Sequence, residues 1–181
     1  GTGVAEEEEE RQAAASALSL NLPRLYGLLR DLLGSEPEAT WTRVQERLGG
    51  VKWVWVGGAF AEGHRVALMS PIAARPYLYT LPADLTAFSA TLLRLGVRRS
   101  FEHGDWAAAL ATMGARFEAT PLPAGQVDLA VALVQKVSDA SKVESLNAGI
   151  MAPDEDGVLR PATDMVYDDA PWMSAAAKAA S

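Results

Sequence analysis

Leu18, Leu22, Leu25, Leu29 and Leu32 recur at spacings of four, three, four and three, which predicts a helix with one apolar stripe. Asn21 with Pro23 behind it reads as the helix start, since proline's missing N–H costs nothing in a first turn. Gly34 ends it. Ser35 is placed to cap a second, shorter helix through Trp41, Val44 and Leu48, stopped by Gly49-Gly50. From Val51 to Val56 the period becomes two: Trp53 and Trp55 share one face of a strand, Val54 and Val56 the other. Both faces are apolar, so the strand is expected inside a sheet. Gly57-Gly58 permits a tight turn into a short returning strand at Ala59-Phe60-Ala61, and Val66–Met69 reads as a third strand.

Helical spacing then returns. Leu85, Phe88, Leu92 and Leu95 form a stripe opened by Pro82 and closed by Gly96. Trp106, Leu110, Met113 and Phe117 form another, with Asp105 as its expected N-cap, and Pro123 precedes a third from about Val127 to Val137. A strand near Ile150, a turn over Asp154–Gly157, a strand at Val158-Leu159 and an extended segment at Met165-Val166-Tyr167 complete the pattern. These elements predict an α+β fold: a small, mostly antiparallel sheet packed with about six helices. The predicted organisation is an acidic low-complexity linker over 1–15, a single α+β module over 16–173 and an Ala-rich tail over 174–181.

Composition narrows the function. The chain has 181 residues, 49% of them hydrophobic, but alanine contributes much of that share, so the core must rest on leucine, valine and five tryptophans. The net charge is −7, with an acidic block at Glu6–Glu10, and the one tight basic cluster is Arg94, Arg98 and Arg99. That is too little positive charge for a nucleic-acid face. The absence of cysteine excludes disulfides, thiolate metal sites and a cysteine nucleophile, and favours a reducing, cytoplasmic setting. No apolar run reaches the ~20 residues that span a bilayer.

Each candidate for chemistry has a plainer explanation. Asp154-Glu155-Asp156-Gly157 resembles the start of a calcium loop, but an EF-hand needs a bidentate glutamate where Thr163 stands, and Asp-Gly is a strong hairpin turn. His64 and His103 lack partners at catalytic or ligand spacing and read as surface residues. Ser70 and Ser89 sit in no Gly-x-Ser-x-Gly elbow, and Gly57, Gly58 and Gly63 match no phosphate loop. Asp164, Asp168 and Asp169 could in principle form a metal-binding set, but solvated acids flanking a buried Val166-Tyr167 are the favoured explanation. Trp172, after Pro171, reads as an anchor for the final turn. The sequence therefore offers no catalytic, cofactor-binding or metal-ligating residue.

Four runs together resemble the sacsin-like proteins of plants and algae: Trp53-Val-Trp-Val-Gly57 with Phe60, Pro76-Tyr-Leu-Tyr-Thr-Leu-Pro82, Leu92-Leu-Arg-Leu-Gly-Val97, and Asp156 through Trp172. The likeness extends from about residue 20 to residue 173. The last run is the most specific; the family commonly has asparagine at the place of Asp168, and an acidic residue at the place of Gly58. The resemblance implies a giant chaperone or co-chaperone built from repeated regions, each led by a gyrase-type ATP-binding module. On that resemblance the chain looks like the later, non-nucleotide part of such a region, and it contains no Asp-x-Gly-x-Gly motif. ATP is then implied only for a separate module, and the chain is expected to be no enzyme. Its implied partners are other modules of the same polypeptide, heat-shock chaperones and client proteins. The alternatives are a metal-dependent enzyme domain using Asp164–Asp169 and a standalone adaptor.

Overall fold

A computed structural model describes residues 16–17, 21–118, 120–138 and 150–165. The chain divides into two compact units, Gly1–Asp105 and Trp106–Ser181. Small antiparallel and parallel sheets accompany the helices, so the fold is α+β, as expected.

The first unit opens with helix α1, residues 21–34. Residues 16–17 are already helical, and Asn21 donates its side-chain amide back to the Ala17 carbonyl at 2.9 Å. Asn21, read as the helix start, is the first residue of this described helical segment. The buried face differs: Leu22, Tyr26 and Leu33 are buried with Leu29 half-buried, whereas Leu25 and Leu32 of the predicted stripe point to solvent. Leucine spacing alone could not choose between two overlapping apolar faces. Tyr26 chooses, because its hydroxyl is held by the backbone of Trp53 and Trp55.

Helix α2 (Glu38–Leu48) starts after Pro37, without a side-chain cap, so Ser35 does not play the capping role its residue type suggested. Trp41 is the buried residue of α2 and packs with Leu33 and Leu95. The Arg94 guanidinium lies 3.8 Å above its ring and pairs with Glu38.

Strand β1 (Lys52–Trp55) returns antiparallel as β2 (Phe60–Glu62) through Gly57 at φ +82° and Gly58 at φ +149°, conformations that favour glycine. The register slips between Lys52 and Val54, so Trp53 sits at a bulge. Val54, Trp55 and Val56 are all buried, as the doubly apolar pattern implied.

The second sheet is parallel, with order β4-β3-β5: β3 (Val66–Met69) lies between β4 (Tyr79–Thr80) and β5 (Arg98–Ser100). Its two outer strands are short and half exposed, and their sequence carries no alternation that would have announced them. Parallel neighbours need a crossover. β4 and β5 each pair with β3 and not with one another, and the chain passes from β4 to β5 through a 3-10 turn (Ala83–Phe88) that buries Leu85 and α3 (Ser89–Arg94) that buries Leu92. Arg65 ties the adjoining loop down by donating to the carbonyls of Tyr77 at 2.7 Å and Pro76 at 2.8 Å.

Helix α4 (His103–Phe117) begins in the first unit. Asp105 is not its first cap residue; its carboxylate reaches back to the Glu102 N–H at 2.9 Å, half of a capping box. In the second unit, α4 buries Trp106, Ala109, Leu110 and Met113, and α5 (Ala124–Ser138) buries Ala130, Leu133 and Val137. The antiparallel pair β6 (Met151–Pro153) and β7 (Leu159–Pro161) packs against α5. No described helix is long and apolar enough to cross a membrane.

Candidate functional site

The first unit carries a cleft of about 460 Å³ where α2, β1, the Gly63–Arg65 turn and the α3–β5 connection meet. That volume lies within the range of small-ligand pockets, roughly 300–1,000 Å³. Its apolar lining comes from Leu48 on α2 and from Leu93, Leu95 and Val97 around the end of α3. Gln45, Glu46, His64 and Arg98 supply the polar groups, and Trp53 the aromatic one.

Glycine makes the approach of these elements possible. A β-carbon on Gly63 would sit 3.3 Å from Trp53 Nε1 and 3.4 Å from the Gly96 backbone. Gly96 adopts φ +102° where α3 turns into β5, and a β-carbon there would lie 3.7 Å from Gln45 Nε2. Gly49 ends α2, its N–H donating to the carbonyls of Gln45 at 3.0 Å and Glu46 at 3.2 Å. Side chains at these positions would push the walls apart or fill the space between them.

The charges are organised in pairs. His64 Nε2 lies 3.3 Å from Glu62 Oε2. Arg98 Nη2 lies 3.5 Å from Asp105 Oδ1, whose side chain is only 13% exposed. Among the residues lining the cleft none carries a hydroxyl or an amine. The lining brings one carboxylate, an amide, an imidazole, a guanidinium and an indole beside apolar side chains.

No family model, curated protein or solved structure matches this chain.

The residues singled out in the sequence fall in several places. His64 reaches the cleft, as a wall residue beside Glu62; His103 is the exposed first residue of α4. Ser70 lies half-buried after β3 and donates to the Ile72 carbonyl at 2.6 Å, and Ser89 begins α3. Asp154 to Gly157 form the β6–β7 turn: Asp154 Oδ1 accepts the N–H groups of Asp156 at 3.0 Å and Val158 at 2.9 Å, and Gly157 takes φ +74°. Asp154 Oδ2 pairs with Arg160 Nε at 2.6 Å. The Arg160 guanidinium, then the Val158 N–H, hold the Asp154 carboxyl below its usual range. Asp164 closes a 3-10 turn, and Asp168, Asp169 and Trp172 lie outside the described residues. No cluster of metal-ligating side chains occurs among the described residues.

Sequence reasoning missed Gln45, Glu46 and Arg98 as parts of one site. The one available signal was Gly96, set between the buried Leu95 and Val97, yet a glycine there reads equally well as a helix stop.

Proposed function

We propose that this chain is a structural and protein-interaction module of a sacsin-like chaperone or co-chaperone. It works in the cytoplasm beside a gyrase-type ATP-binding module, without an ATP site or catalysis of its own. Heat-shock chaperones and client proteins are its further partners. One observation carries this reading. Two runs that bear the family likeness, far apart in sequence, converge on one place: Trp53 from the first, with Leu93, Leu95, Gly96 and Val97 from the second, lines the cleft. Their meeting at one cleft supports reading it as an interaction surface.

Charge supports the same reading. Glu46 lines the cleft, Glu62 lies against His64, and Asp105 faces Arg98. Three carboxylates oppose one guanidinium, an unfavourable field for a triphosphate. The exposed leucines of α1 add an apolar face of the kind protein contacts use, with Leu25 at 58%, Leu28 at 61% and Leu32 at 72% exposure.

The test is an ATPase assay with two arms. The purified chain alone is expected to release no phosphate from ATP above background. Added to the ATP-binding module of a sacsin-like protein, it is expected to change that module's turnover. Hydrolysis by the chain alone, or no effect on the module at saturating concentration, would falsify the proposal.

A further inference from the structure

We propose that the cleft receives a protonated amine on an apolar stem, the chemistry of a lysine side chain, presented by a protein partner. This inference rests on reading the cleft as the contact site of an interaction module, and it names the chemistry of what enters.

The choice of a cation follows from the charges. Arg98 is the one full positive charge on the cleft wall, and the Asp105 carboxylate 3.5 Å from its Nη2 neutralises it. His64 is engaged by Glu62 at 3.3 Å. Glu46 remains on the wall without Arg98 or His64 as its partner. Gly49 places the carbonyl end of α2 at the same cleft, and the C-terminal end of a helix carries partial negative charge. An entering anion meets this field unfavourably; an ammonium group is drawn in.

The choice of an amine on a stem follows from the walls. Leu48, Leu93 and Val97 offer methylene-sized contact beside the Trp53 indole. The Gln45 carboxamide oxygen can accept one ammonium proton and Glu46 another. A bare metal ion would not use the apolar walls, and a wholly apolar residue would leave Glu46 and Gln45 facing it. A lysine side chain uses both halves of the surface.

The experiment titrates the full ¹⁵N-labelled chain with N-acetyl-lysine methylamide. The uncharged norleucine analogue and the glutamate analogue serve as controls. The lysine compound is expected to shift the Trp53 indole N–H and the Gly63 and Gly96 amides, with neither control doing so. Glu46→Gln, at an exposed position, is expected to weaken binding about tenfold while the melting temperature holds, the loss of one charge-assisted hydrogen bond. Equal shifts with norleucine, larger shifts with glutamate, or none with lysine would each overturn the inference. If the lysine compound fails while an ATP-binding module still shifts the cleft resonances, only the amine assignment is wrong. If both fail, the interaction reading goes with it.

Discussion

The hydroxyl of Tyr26 accepts the backbone N–H of Trp55 at 3.0 Å, joining α1 to β1 across 29 positions of sequence. The same hydroxyl donates to the Trp53 carbonyl at 2.8 Å. The bulge at Trp53 takes that residue out of the β1–β2 ladder, and Tyr26 meets its backbone there. One phenol thus orients α1, satisfies a strand and fixes a residue that lines the cleft.

Replacing Tyr26 by Phe keeps the ring but leaves both backbone groups without this partner. The expected cost is about 1–3 kcal/mol, read from urea unfolding followed by tryptophan fluorescence. Burial raises the Tyr26 hydroxyl above its ordinary value of 10.0, with the Trp55 N–H opposing. The unfolded chain therefore ionises first as pH rises, and the contribution is complete below pH 10 and declines above it. The stability gap between wild type and Tyr26→Phe should narrow as the solution passes into that range. A gap that stays constant there would argue against the burial of this hydroxyl.

The two faces of α1 should respond oppositely to truncation. Leu22→Ala removes a buried side chain and is expected to cost about 2–5 kcal/mol. Leu28→Gln alters a side chain 61% exposed and should stay within roughly 0.5 kcal/mol of wild type. Equal losses in chemical denaturation would mean that both faces are packed in the isolated chain.

Gly96→Ala tests the frame of the cleft. At φ +102° a β-carbon is strained wherever it points, and the expected penalty is about 1–3 kcal/mol. Gly104→Ala, at a position with open space around it, is the control and should be near neutral in the same melt.

The β6–β7 turn carries its own acid sensitivity. Because Arg160 and the turn N–H groups lower the Asp154 carboxyl below 3.8, its contribution is present above that value. It is lost as pH falls through the depressed folded value. Asp154→Ala is expected to lower the melting temperature at neutral pH, and the difference should fade as the solution becomes strongly acidic. A difference of the same size at both ends would assign the effect to something other than this carboxylate.

The legible and illegible parts of this fold differ in range. Local signals were readable: the doubly apolar Trp53–Val56 run became a buried strand, and Asp154–Gly157 became the expected turn. Facing was not, because Leu22/Leu29 and Leu25/Leu32 obey the same helical spacing and a hydroxyl bond to a distant strand decides between them. The strands Tyr79–Thr80 and Arg98–Ser100 are too short and too exposed to alternate, so the parallel sheet they form with Val66–Met69 left no pattern. The cleft was the least legible of all. Gln45, Trp53, Gly63 and Gly96 come from four separate elements, and their meeting is a property of the packing.

The most direct test of the account is the footprint of a partner on the labelled chain. The ATP-binding module of a sacsin-like protein, unlabelled and loaded in turn with ATP and ADP, is titrated into the ¹⁵N-labelled protein. The account predicts shifts centred on the Trp53 indole, Gly63 and Gly96, differing between the two nucleotide states. No shift at saturation, or shifts confined to residues away from the cleft, would contradict it.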